Sequence, residues 1–474
     1  MDQRSPSAAL ARADAVAARA AAEFDATIAQ LSSYLAIPAI SCDPAHAADV
    51  RRLAATVCED LAKVGLERCR VLEVEGALPI VAAEWLHAGP DAPTVLVYGH
   101  LDLQPVAGEV WQTSPHVATI RGDRLYARGA ADDMGGWMSH LAATRAWFEV
   151  TGGLPCNLKV ILEGEEEIGS PNLERYMDTF QDVFDADVMV LTDCENPSTD
   201  VPGLTVSLRG LVEVELTVTA ADADVHSGLW GGMVPDSAVA LTQLIARLVD
   251  EDSRMRIGRL EPSAEVLQAS QAVPYDAHVV CKGAHLLPGI APLPERDLPP
   301  AVWMWHEPAI TVLSTTLPVP GREKNAIRQR ASAKLSVRLA PTQTADEMVA
   351  AIRAAVTQDP PGGVRVELRK IASFGEGWLY TPKGPAFIAA DAAYRKAWGQ
   401  SLVQVGVGGS IPFVALFGRR FSDLPLILNG VMDPETTAHG PNESMHLGVF
   451  RKAIAANVHL YAELAALGKA GVKA

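Results

Sequence analysis

The sequence lacks the features that several functional classes require. Its six cysteines, at positions 42, 58, 69, 156, 194 and 281, include no C-x-x-C pair. They are too sparse in 474 residues for a disulfide scaffold or a clustered-thiolate zinc site. Such thiols read as reduced, which places the protein in the cytoplasm. No apolar run approaches the ~18 residues needed to span a bilayer. Positive charge is in deficit: 40 Lys and Arg against 57 Asp and Glu leave a net charge of −17. That balance provides no electrostatic footprint for nucleic acid or for an anionic membrane surface. Neither an internal repeat at a solenoid period nor a low-complexity tract is present. Residues 8–36 do not form a signal peptide. They are Ala-rich and carry both charge signs, and Phe24, Ile28, Leu31 and Leu35 recur at helical spacing. This pattern predicts one amphipathic helix packed on the body of the protein.

What is present fits a large soluble enzyme of two or three domains, with 49% hydrophobic and 20% charged residues. In the first ~200 residues helical stretches alternate with short apolar strands, which predicts an α/β fold with a largely parallel sheet. Three of these strands, Thr94–Tyr98, Leu158–Leu162 and Val188–Thr192, each run into residues able to bind a metal. In open α/β sheets the crevice beyond the carboxyl ends of the strands is where ligands bind. The pattern changes near residue 210. Val212, Val214, Leu216 and Val218 alternate with polar residues, as do Ala331, Ala333, Leu335, Val337 and Leu339. This predicts an antiparallel sheet with one wet face. Helices are expected around 236–250 and over 345–357, a further strand over Val364–Leu368, and irregular chain over 251–310. From about residue 380 the helix–strand–helix style returns. The organisation is therefore one domain built from both ends of the chain (1–208 and 383–474), with a smaller α+β domain (209–382) inserted between them.

The candidate chemistry lies at six places. In an extended segment His100 and Asp102 point the same way, so the carboxylate can fix the imidazole tautomer. Asp132 and Asp133 sit between glycines before a predicted helix, where one acts as an N-cap or binds metal. Glu165, Glu166 and Glu167 repel one another unless a cation lies near. Asp193 ends a strand, and His226 and His439 sit in loops. Each place taken alone has an ordinary structural reading as a loop, a cap or a solvated face. Together, two histidines and three carboxylates without clustered cysteines suit catalytic Zn²⁺ or Mn²⁺. That many ligands point to two ions sharing a bridging carboxylate.

In order along the chain, the segments GHLDLQP (99–105), RGAADDMGG (128–136), EGEEEIGS (163–170), DVHSGLWGG (224–232), SVRLAP (336–341), GGSIP (408–412) and HGPNE (439–443) resemble those of the M20 metallopeptidases. The closest resemblance is to the carnosinase-like, cytosolic nonspecific dipeptidase branch. It implies an aminopeptidase-like (phosphorylase/hydrolase-type) catalytic domain with an inserted ferredoxin-like lid that makes a homodimer. Two divalent ions are implied, Zn²⁺ foremost, with Mn²⁺ or Co²⁺ as substitutes. Their ligands would be His100, Asp132, Glu167, Asp193 and His439, with Asp132 bridging. Glu166 would be the general base, and Asp102 would orient His100. His226 would reach across the dimer as an oxyanion donor. Arg338 would grip the substrate carboxylate, with Asn325 and Ser410 beside it. The implied reaction is hydrolysis of a dipeptide, and the alternative is deacylation of an N-acyl amino acid or related small amide. Three positions depart from the family pattern: Met134 stands where Lys is common, Arg328 where Pro is common, and Asp236 where Asn is common.

Overall fold

The computed structural model describes residues 6–293, 298–317, 321–373, 375–408, 412–421 and 424–472. A six-stranded sheet runs in the order Glu67–Leu72, Ile80–Trp85, Asn157–Glu163, Thr94–His100, Val188–Leu191, Leu426–Leu428. The last four strands are mutually parallel, and the first two are antiparallel additions at one edge. Successive side chains of a strand face opposite sides, and here both sides are covered. Val95, Val97, Val160, Leu162 and Val190 enter one core, and Leu96, Tyr98, Ile161, Met189 and Leu191 enter the other. This explains why these strands read as continuous apolar runs. Helices Met134–Thr151, Pro385–Trp398 and Leu447–Val472 pack in the first core.

The N-terminal stretch forms two helices, Pro6–Ala22 and Phe24–Leu35, where one was expected. Glu23 leaves helical geometry (φ −100°, ψ 13°). The buried stripe Ala9, Ala13, Val16, Ala20, Phe24, Ile28 and Leu31 continues through both helices, so periodicity could not report the break.

The four-stranded sheet is antiparallel throughout, in the order Ala309–Thr315, Arg330–Leu339, Gly210–Thr219, Arg365–Ser373. Its alternating apolar residues form a separate core with helices Ser237–Arg247 and Ala345–Thr357. The second of these helices starts where the sequence predicts, at a capping box of Thr344 and Glu347. The opposite face carries ion pairs such as Lys334–Glu213 at 2.7 Å.

Residues 251–310, expected to be irregular, contain three short helices: Ala264–Gln271, Ala277–Gly283 and Pro300–Trp305. The first two are capped by Ser263 and Asp276. Helices of eight residues or fewer show too little apolar period to be read from sequence. Among the described residues no helix is long and apolar enough to cross a membrane. The six cysteines are unpaired.

Candidate metal centre

The parallel strands deliver their carboxyl ends to one place. His100 is the last residue of its strand and is fully buried. Its backbone is held on both sides: Trp137 Nε1 donates to its carbonyl at 2.9 Å, and its own N–H donates to Asp133 Oδ2 at 3.2 Å. The ring's Nε2 faces Asp132 Oδ1 at 3.1 Å and lies 4.0 Å from Asp193 Oδ2. Asp132 divides its carboxylate, since Oδ2 lies 3.1 Å from Nε2 of His439. His439 also approaches Glu167 Oε2 at 3.3 Å, and Gln104 Nε2 donates to that oxygen at 2.7 Å. Ligand atoms of His100, Asp132 and Glu167 lie within 4.8 Å of one another, as do those of His100, Glu166 and Asp193. All five ligands expected from the sequence, together with Glu166, are therefore assembled in one cluster.

Asp102 behaves differently from the expectation. The nearer acceptor for His100 Nδ1 is the Asp102 backbone carbonyl at 3.1 Å, with the carboxylate at 3.6 Å. The carboxylate instead accepts from the backbone N–H of Glu166 (3.2 Å) and Glu167 (3.1 Å). It thus ties the glutamate turn to the end of the histidine strand. Asp133, the N-cap residue of its helix, makes no side-chain cap. Its carboxylate is buried and accepts from Thr192 Oγ1 at 2.6 Å as well as from His100. A Cβ at Gly99 would stand 2.5 Å from Asp133 Oδ2, so the glycine leaves room for this support.

The electrostatics follow from four carboxylates facing two imidazoles. Burial raises the pKa of Glu166 and of Glu167. Burial, and then Asp132, push Asp193 up to about 7. Asp132 moves the other way: burial would raise it, but hydrogen bonds from His100 and His439 hold it below the usual carboxylate range. His439 is pushed up to about 11 by its hydrogen bonds to Asp132 and Glu167. Buried anionic oxygens in excess over the cations that face them make a site that divalent cations fit, and the mixed N/O donor set suits Zn²⁺ or Mn²⁺.

One residue with no role in the sequence reading is central here. Glu443 is fully buried and accepts from the backbone N–H of Gly129 (3.0 Å), Ala131 (3.1 Å) and Asp132 (3.2 Å), and from Arg128 Nη1 at 2.9 Å. It fixes the loop that presents Asp132. The only signal for it in the sequence is its place in the HGPNE segment. In the same stretch Thr437, His439 and Asn442 have φ of 57°, 61° and 62°. Left-handed backbone at non-glycine residues costs energy and clusters at functional sites.

The remaining expected residues lie elsewhere in the chain. His226 and Asn325 meet on a two-stranded ribbon, in which Val225–His226 pairs with Ala326–Ile327 and Ser227 N donates to the Asn325 carbonyl at 3.1 Å. His226 is exposed, and its Nδ1 accepts from Gly228 N at 3.0 Å. No contact among the described residues links it to the carboxylate cluster of its own chain. Arg338 is half-buried near the end of its strand. No carboxylate among the described residues lies within 4.0 Å of its guanidinium. Ser410 lies outside the described residues. Two of the departures from the family pattern have structural roles. Arg328 pairs with Asp224 at 2.8 Å, bracing the ribbon next to His226. Asp236 caps its helix, accepting from Ala238 N at 2.8 Å. Met134 is buried in the core.

A family model described as Peptidase family M20/M25/M40 matches residues 96–464. A cysteinylglycine-S-conjugate dipeptidase from Corynebacterium striatum is 34% identical over 406 residues, covering 85% of this chain and 87% of that protein. The beta-Ala-His dipeptidase of Homo sapiens is 28% identical over 386 residues, covering 78% of this chain and 74% of that protein. The crystal structure of human carnosine dipeptidase 1 shares the fold, with a TM-score of 0.76 at 23% identity over 96% of this chain and 99% of that one.

Proposed function

The chain belongs to peptidase family M20/M25/M40, and on that premise we propose that it is a metal-dependent dipeptidase that hydrolyses the peptide bond of small dipeptides. The observation that carries the reading is the divided carboxylate of Asp132, with one oxygen 3.1 Å from each of the two histidines. One ion, with zinc the first choice, would be held by His100, Asp132 and Asp193, and a second by Asp132, Glu167 and His439. Divalent ions in such a site polarise a carbonyl and bring the pKa of bound water from 15.7 toward about 7. Glu166, whose carboxylate lies with His100 and Asp193, would take the proton of the attacking water and return it to the leaving amine. Asp102 and Glu443 keep the glutamate turn and Asp132 in place.

Arg338 receives the substrate's free carboxylate, for which a guanidinium offers two parallel bonds. His226 serves as oxyanion donor. Its Nδ1 already accepts from Gly228, so the neutral ring carries its proton on Nε2 and has a bond to give. It acts from the partner subunit of a homodimer joined through the lid (209–382), on the catalytic domain made of 1–208 and 383–474. Exposed Leu229 (75%), Trp230 (51%) and Met233 (82%) beside His226 support a partner at this surface. A cytoplasmic location completes the proposal.

The test is hydrolysis of a panel of dipeptides and their N-acetylated forms by chelated protein, with and without added Zn²⁺ or Mn²⁺. Metal-restored cleavage of the free dipeptides alone is the expected result. Cleavage of the acetylated set instead would move the protein to the deacylases of its family.

A further inference from the structure

Strand Gly203–Leu208, the middle strand of a three-stranded sheet, passes through Arg209 into strand Gly210–Thr219 of the four-stranded sheet. Arg209 is 8% exposed, and its Nε has no hydrogen-bond partner. Its Nη2 donates to the Trp303 carbonyl at 2.7 Å, a neutral acceptor. Arg338 pairs across the strands with Leu211, which stands two residues beyond Arg209. The charges feel each other, since burial and then Arg338 lower the pKa of Arg209 to about 10. The carboxylate acting on Arg209 is Glu307, and it is already engaged by Arg259 at 3.1 Å. Two partly buried guanidiniums therefore share one place without an anion of their own, in a protein of net charge −17. Ala309, the other cross-strand neighbour of Arg338, lines a cavity of about 820 Å³ together with Trp303 and Glu307.

We propose that Arg209 is a specificity-determining residue that, beside Arg338, binds the side-chain carboxylate of substrates whose C-terminal residue is acidic. The proposal rests on the reading of Arg338 as the clamp for the main-chain carboxylate. One carboxylate would leave this pair with a surplus positive charge, and two carboxylates on one residue neutralise it. A buried charge without a partner is costly unless a ligand supplies the partner.

The test compares kcat/KM of the metal-loaded enzyme for Ala-Glu and for Ala-Gln, which has nearly the same shape. Wild type is expected to prefer Ala-Glu by about tenfold, the scale of one charge-assisted contact. Arg209→Gln should bring the ratio to about one through KM, whatever loss it carries on Ala-Gly, and Arg209→Lys should keep part of it. A wild-type ratio near one, or a ratio unchanged by Arg209→Gln while all substrates slow alike, overturns the proposal. If wild type cleaves no dipeptide, the dipeptidase reading fails separately. Calorimetric binding of L-glutamate against L-glutamine then decides the subsite: tighter glutamate binding that Arg209→Gln removes supports it, and equal binding overturns it.

Discussion

Two clusters of buried charge face opposite demands. At the carboxyl ends of the parallel strands, Asp132, Glu166, Glu167 and Asp193 outnumber the two histidines they meet. At the junction with the four-stranded sheet, Arg209 and Arg338 outnumber the acids they meet. Where a protein buries charge for stability alone, it supplies the opposite charge, as Arg124 and Asp433 do at 2.8 Å. Two clusters depart from this pattern by gathering several like charges, and they are the proposed ligand sites, one for cations and one for carboxylates. Together they would hold a short substrate by its bond and by its end.

The comparison can be broken most severely at Asp132. Asp132→Ala removes the carboxylate shared by both histidines, and is expected to abolish tight metal binding and reduce turnover to background. Metal analysis of the dialysed protein and a dipeptide assay check this. Glu166→Gln is expected to leave metal content intact while turnover falls by about 10²–10⁴, the usual worth of a general base. Retained activity would assign the base elsewhere. On the cationic side, Arg338→Gln should raise KM by about 10- to 100-fold with a smaller change in kcat, matching the loss of a charge-assisted pair. Equal KM would remove the carboxylate clamp.

The smallest effect sharpens the contrast with a buried group that has no ligand to await. His140 is 2% exposed and bonded to Tyr461 Oη at 2.9 Å, and burial lowers its pKa to about 3. The unfolded chain takes up this proton first as the pH falls, so the contribution is complete above the unfolded value near 6.5. It is lost between 6.5 and about 3, by at most ~1.4 kcal/mol per pH unit. His140→Phe should therefore flatten the fall in stability over that window. Denaturant melts of both proteins at pH 7 and pH 5 measure the difference.

The sequence was most legible where chemistry is local. The strand ends leading to His100 and Asp193, the alternating strands of the second sheet and the helix over 345–357 follow from local pattern alone. The break at Glu23 and the short helices of 251–310 do not, because an unbroken apolar stripe or a single turn leaves no period to read. The role of Asp102 was half legible. Its place two residues from His100 is local, whereas its bonds to Glu166 and Glu167 join segments 64 and 65 residues apart.

By itself the sequence offered the side chains that could serve a metal, since donor type and spacing along a strand are properties of neighbouring residues, whereas the choice of Arg338 for a carboxylate rested on the resemblance of its segment to a family. Only the tertiary structure decided how those side chains are divided. Asp132 turns one oxygen to each histidine because Glu443, 311 residues away, holds its backbone. Arg338 comes within two residues of Arg209 because strands distant in sequence pair Arg338 with Leu211. Relations of this kind depend on which backbone groups meet in space, and no local pattern of residues encodes them.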